Sequence, residues 1–514
     1  MPFALEHDIS EEILDNIISE CTTGVLASLC RCSKKLNRIA IPHLYTAVSF
    51  NDRARANYIL PFAYLIFTSP IHASYVRSFT LRQEGEDNAF SAEIEEEVGP
   101  KPAEKQPWPK FGGEDLEKAL RRACAKSADD ENEVGELYEK IRTGENENYV
   151  LALLFANFPN LQKLDFCIGY SFGEYTMVPF ERVMRHGRER NAIGGIANNK
   201  PTQLNTTPFS VPLDVLITGA DYDYPGDPLA LAAFLNLPNL RRLYGWKIGD
   251  KEEPDEERDD QFSRLTPRSC PVEYIECRSS KLHEDNFALL INATVPGRLK
   301  TFLYEIGCIQ ATIFIDHEKI MESLQPHYET LECLGLTHEV HFPYPYDDET
   351  GDPAPLSFRC FKMLKQLKLA PTSIWGGDGF GIMQNLWHPA TKEFLWKALP
   401  ETLQELWITR ANGQGEYKKA TTKFVPDCLI PALYLLVQNR ASYPLLDQLR
   451  IDFPISKWEA DWLDQLDTFT QFAENNGIHC TVIVPSLTTR PAEMVERRWG
   501  WDEDVEWAPC SDNR

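Results

Sequence analysis

Three observations in the sequence predict an α/β fold of stacked strand–helix units. First, a six-residue pattern, L-x-x-L-x-L in outline, recurs along the chain. It reads LQKLDF from Leu161, LRRLYG from Leu240, VEYIEC from Val272, LKTFLY from Leu299, LECLGL from Leu331, LKQLKL from Leu364, LQELWI from Leu403 and LDQLRI from Leu446. VRSFTL from Val76 is an early copy and LDVLIT from Leu213 a degenerate one. Second, helix-forming segments fill the intervals: 148–158, 228–237, 284–293, 316–325, 390–399 and 427–440. Pro228 and Asp316 stand where helix starts favour them. Third, 514 residues that are 43% hydrophobic and 25% charged supply ample material for a core, which excludes global disorder.

Strand and helix in repeated alternation imply a parallel sheet with helices outside it. The pattern is the core of a leucine-rich repeat, so the expected architecture is a solenoid with parallel strands on a concave face. From Leu240 the repeats start 32, 27, 32, 33, 39 and 43 residues apart. These spacings exceed the roughly 20–29 residues of the class, and the surplus is helix and loop. A last helix is expected over 458–475 and a last strand over 479–484, followed by a polar tail from Ser486. Acidic, Pro-bearing insertions at 84–110, 250–260 and 344–355 interrupt the units and read as solvated loops, the alternative being contact with a basic partner.

Composition excludes several function classes. Lys plus Arg is 52 against 77 for Asp plus Glu, a net charge of −25, which argues against nucleic acid or an anionic membrane as partner. The thirteen cysteines are scattered without a CxxC pair, so neither a zinc site nor a disulfide framework is expected. No signal peptide is visible, and the apolar run over 58–67 is too short to span a bilayer and is interrupted by Pro61. A reduced cytoplasmic or nuclear protein follows, with the N-x-T sequons at Asn205 and Asn292 unused. The HEVH stretch at 338–341 lacks the i, i+4 histidine spacing of a helical zinc site, and the glycines of 376–381 lack a phosphate-binding context. No cofactor and no enzymatic activity are expected.

The N-terminal stretch forms its own cassette. Ile9, Ile13, Leu14, Ile17 and Ile18 share one helical face, with Ser10 as N-cap and acids in the first turn. Val25, Leu26 and Leu29 follow on a short second helix; a basic third helix, RCSKKLNRIA, turns Leu36 and Ile39 inward and is expected to end at Pro42. The order ISEEILxxII, LxxLxRCSKKLNRIA and PHLY resembles an F-box, most closely the fungal kind that runs straight into LYTAVSF. Ile9-Ser10 stands where the family usually has Leu-Pro, and Leu36 where many members carry Trp or Phe. The resemblance covers about the first fifty residues. It implies docking on the Skp-type adaptor of a cullin–RING ubiquitin ligase through Ile9, Ile13, Leu14, Ile17, Ile18, Leu26, Leu29, Leu36 and Ile39. The alternative is an ordinary helical cap on the solenoid.

The resulting plan is an F-box at 1–50, a leucine-rich solenoid with acidic insertions at 51–485 and a polar tail at 486–514. Side chains alternate across a strand, so the residues between the repeat leucines face the open side of the sheet. Arg242, Tyr244, Trp246, Tyr274, Arg278, Lys368, Trp407 and Arg450 are thereby expected to meet an unknown protein substrate. Aromatic and Arg side chains are the types that dominate binding hot spots. The competing expectation is that loops or the tail cover them.

Overall fold

The first apolar residue of every repeat is buried. Val76, Leu161, Leu213, Leu240, Val272, Leu299, Leu331, Leu364, Leu403 and Leu446 are each at most 1% exposed in the computed structural model. In most copies the strand begins two residues further on, so this residue plugs the turn beneath the sheet rather than lying within it. The next two apolar positions, such as Leu367 and Leu369 or Leu449 and Ile451, are also buried and carry the face that the helices cover. The structure describes residues 9–50, 52–81, 113–125, 128, 130–143, 147–168, 211–219, 226, 228–250, 265–307, 317–338, 356–371, 389–409, 425–452 and 462–483. The insertions at 84–110, 251–260 and 344–355, the glycine stretch, Asn205, His341 and the tail from Ser486 lie outside them.

Twelve strands follow one another in chain order, and their described pairings are parallel. The chain divides into two compact units, Met1–Ile217 with Asn236–Arg241, and Thr218–Leu235 with Arg242–Arg514. The first opens with three helices, α1 (Glu11–Ser19), α2 (Thr23–Cys32) and α3 (Lys34–Thr46). Strand β1 (Ala47–Phe50), helices α4 (Asp52–Thr68) and α5 (Pro70–Tyr75) and strand β2 (Ser78–Leu81) come next. Then follow α6 (Gly113–Cys124), α7 (Glu131–Thr143), α8 (Glu147–Ala156), β3 (Lys163–Ile168) and β4 (Leu213–Gly219).

Pro42, expected to end its helix, does not. Pro42 lies inside α3 and Pro61 inside α4. Each removes a backbone hydrogen bond. In both places buried neighbours hold the helix across the gap: Ile39 and Ala40 beside Pro42, and Ile59, Ala63 and Ile66 around Pro61. The third helix also starts later than expected, because the Ser33 hydroxyl accepts from the Leu36 amide and caps it there. Strand β1 is a further repeat, its frame being Tyr45-x-x-Val48-x-Phe50 in register with β2. The backbone joins it to the cassette, since the Arg77 amide donates to the Thr46 carbonyl at 2.9 Å and Tyr45 packs edge-on against His72 at 5.1 Å. Phe50 meets Phe62 and Phe79, and Phe79 in turn meets Phe155 and Phe158.

The second unit carries α9 (Pro228–Leu235), β5 (Leu240–Trp246, of which 240–241 belong to the first unit), β6 (Tyr274–Ser280), α10 (Glu284–Asn292), β7 (Thr301–Ile306) and α11 (His317–Ser323). It continues with β8 (Cys333–His338), β9 (Gln366–Leu369), α12 (Pro389–Ala398) and β10 (Glu405–Ile408). Helix α13 (Ile430–Gln438), β11 (Gln448–Asp452), α14 (Leu463–Asn475) and β12 (His479–Ile483) complete it. The order of a strand followed by its helix is the predicted one. Helix α14 begins at Leu463 rather than at 458, and the residues before Trp462 lie outside the described set.

Charges of alternating sign line up near the heads of several strands. In the first unit Asp214 pairs with Arg241 at 2.6 Å. In the second, Lys300 lies 3.9 Å from Glu273, and Lys365 lies 2.5 Å from Glu332. Backbone amides run along this row, from Lys300 to the Glu273 carbonyl, from Glu332 to Lys300 and from Lys365 to Glu332. Each exposed pair is worth about 0–1 kcal/mol, so the row selects neighbours more than it adds stability.

Below the sheet His327 is fully buried, its Nε2 sharing a hydrogen with the Thr294 hydroxyl at 2.7 Å. Burial pushes its pKa down to about 4. The unfolded chain then takes up a proton near pH 6.5 that the folded chain refuses until about pH 4. Stability is therefore full above the upper value and falls as pH drops through this window. Replacing His327 with Gln should flatten the acid limb of urea-melt stability relative to the natural chain, by on the order of 3 kcal/mol between the two limits. In the first unit, Phe50→Ala should cost about 3–5 kcal/mol in the same measurement, since the ring is buried against Phe62 and Phe79.

Candidate functional site

Two surfaces hold the residues singled out in the sequence. On the cassette, Ser10 caps α1 by accepting from the Ile13 amide at 3.4 Å. The helix face then divides. Ile18, Leu26, Ile39 and Ala40 form the cassette's buried centre, with Leu14, Leu29 and Leu36 packed partly buried against it. Ile9 is likewise half-buried. Ile13 and Ile17, one turn apart, remain 54% exposed each, and Val25 on α2 is 46% exposed. The inward residues are thus spoken for, and what the cassette offers outward is the Ile13–Ile17 pair. Around it, Arg38 pairs with Glu11 and His43 with Asp15, fixing α1 on α3.

The second surface is the sheet face opposite the repeat leucines in the second unit. Parallel register lines its residues into rows across the strands. One row runs Arg242, Tyr274, Thr301, Cys333, Gln366, Glu405, Gln448, His479. The next runs Tyr244, Glu276, Leu303, Gly335, Lys368, Trp407, Arg450, Thr481. Trp246 and Arg278 are paired one step further along. All eight residues expected to meet a substrate therefore share this face.

Much of the face is buried. Tyr244 is 1% exposed, Glu276 0%, and Trp246 and Trp407 9% each. Arg242, Tyr274, Arg278, Lys368 and Arg450 are half-buried, while Gln448, His479 and Thr481 are exposed. Its charges are matched. Arg278 pairs with Glu276, which also accepts from the Tyr274 hydroxyl, and Arg450 lies 2.8 Å from Glu405. The Gln366 amide donates to Glu405 at 3.1 Å. Rings carry the remaining cations. Lys368 sits 4.0 Å and Arg450 5.6 Å from the Trp407 centroid, and Arg242 lies 5.8 Å from that of Tyr274. Such contacts are worth more when desolvated.

Gly335 makes this arrangement possible. A Cβ there would come within 2.7 Å of the Leu303 side chain. Without it, Leu303, Cys333 and Trp407 close into one apolar cluster with Tyr274 across four strands. The strand alternation places the aromatics, Glu276 and Glu405 on this face together, but it does not reveal Gly335 or that these carboxylates pair with the face's own bases. Glu276 and Glu405 stand at the same strand parity as the predicted Arg and Trp residues.

Burial also raises the Tyr274 phenol, reinforced by the Glu276 carboxylate. The Lys368 ammonium is pushed down to about 8 by burial first and by Arg278 second, against the opposing pull of Glu305, Glu276 and Asp452. The described cysteines are free thiols, and burial lifts those of Cys124, Cys277 and Cys428 to about 12, which keeps them protonated core residues. Among the described residues no group of three or more His, Cys, Asp and Glu is placed to hold a metal ion, and no helix is long and apolar enough to cross a membrane.

Lys368 gives a signed test. Its pKa lies below that of an unfolded lysine, so between about pH 8 and 10.5 the unfolded chain holds the extra proton and stability rises with pH. Lys368→Met removes the titrating ammonium and should lack that rise, so the difference between the two chains' urea midpoints should grow with pH across this window.

Neither a family model nor a characterised protein matches the chain.

Proposed function

We propose that the chain is the substrate-recognition subunit of an SCF-type cullin–RING ubiquitin ligase. The N-terminal cassette docks on a Skp-type adaptor, and the strand face of the second unit contributes to holding a protein substrate. The observation that carries this reading is the Ile13–Ile17 pair. It stands exposed on a cassette whose own centre is already filled by Ile18, Leu26 and Ile39, and whose sequence resembles an F-box. A cap would turn that face against its own repeats. Here the contact to the repeats runs instead through α3, Tyr45 and Thr46.

The chain's contribution is proximity and orientation, with catalysis supplied by other subunits. Substrate contact falls to the accessible part of the strand face, where Arg242, Tyr274, Lys368 and Arg450 keep partial exposure. Trp407 acts from beneath, as the apolar bed on which Lys368 and Arg450 lie, while Tyr244 packs against the Tyr274 ring that Arg242 overlies.

A pull-down with a purified Skp-type adaptor tests the proposal. The natural chain should bind. Ile13→Asp with Ile17→Asp should weaken binding by at least about a hundredfold, since each buried Ile is worth about 1.5–3 kcal/mol. The thermal midpoint should stay unchanged, because both side chains are exposed in the free chain. Failure of the natural chain to bind any such adaptor at micromolar concentration would end the ligase reading and leave an interaction scaffold of the same fold.

A further inference from the structure

A cavity of roughly 150 Å³ opens in the first unit between α4, α5, α6 and the end of α8. Ala73, Ala119, Ala123 and Ala156, all buried, line it together with Ile66, Phe67, Pro70 and Pro159. Four alanines at a junction of helices leave a space that Leu or Phe would ordinarily fill. A hollow of about this size has room for a benzene ring.

The described lining holds one charged side chain, Arg122, and it is exposed, which marks the solvent side. Its neighbour Arg121 is engaged by Glu117 and the Tyr138 ring, whereas Arg122 makes no ion pair among the described residues. The other polar lining residue, Asn157, is buried and donates to the Leu153 carbonyl at 2.7 Å. The hollow therefore combines mostly apolar lining side chains with one planar cationic fork at its rim. A bare anion would leave the alanine wall uncovered, and a neutral hydrocarbon would leave the guanidinium unmatched. A guanidinium pairs with a carboxylate in two parallel hydrogen bonds.

We infer that this cavity binds a small free carboxylate whose apolar body is no larger than a benzene ring, the body seated among the four alanines and the carboxylate on Arg122. This inference is independent of the ligase reading. Calorimetric titration of the full chain with benzoate, benzyl alcohol and acetate tests it. Benzoate should bind about threefold more tightly than benzyl alcohol, the gain expected of an exposed ion pair, and acetate should not bind. Arg122→Gln should abolish the preference for benzoate without abolishing binding. Ala123→Leu should fill the hollow and remove both aromatic probes. Should that variant lose its circular-dichroism spectrum, the smaller Ala119→Val takes its place and should weaken both. Equal affinity for benzoate and benzyl alcohol, binding unaffected by filling the cavity, or no binding of either probe would each overturn the assignment.

Discussion

The apolar residue at the head of each repeat, in most copies two positions ahead of its strand and from Val76 onward buried, sets the register on which the rest of the sheet depends. Side-chain direction in a strand has a period of two, so a slip of one residue would turn every leucine to the opposite face. Anchoring the turn before the strand begins removes that freedom. Leu364, Leu367 and Leu369 then point together into the layer beneath the helices, and Gln366 and Lys368 point together the other way. The rows that gather Tyr274, Lys368, Trp407 and Arg450 from strands far apart in sequence follow from this one constraint.

Because those anchors are short, local and strongly apolar, the strands and their order could be read directly from the sequence. The copies from Val76 to Leu446 each lead into a strand, and the degenerate LDVLIT does as well. The first strand escaped because its anchor is Tyr45, half-buried and aromatic rather than aliphatic. Pro42 misled for a different reason. A proline's cost is local, and buried neighbours on the same helix outweighed it. Periodicity also could not divide the cassette face. Ile13, Leu14, Ile17 and Ile18 share one broad stripe, and only the placement of α2 and α3 decides that two turn inward and two outward.

The strand face shows how an acidic chain can keep cations in a low-dielectric setting. Arg278 and Arg450 each have a carboxylate from the same face, and Lys368 and Arg450 share the Trp407 ring. Removing one member of such a set leaves a buried charge exposed to its desolvation cost, so the residues act as a group rather than as separate contacts. A network of this kind holds its geometry before any partner arrives, and a rigid surface loses less side-chain freedom on binding.

The charged row at the head of the strands also bears on how such a chain can lengthen or shorten. Glu273, Lys300, Glu332 and Lys365 alternate in sign from one repeat to the next. Excising a single unit from the middle would set glutamate beside glutamate or lysine beside lysine. Excising two adjacent units would restore opposite neighbours. Across these four repeats the row thus has a parity: opposite neighbours survive the loss of a pair of repeats, not of a single one.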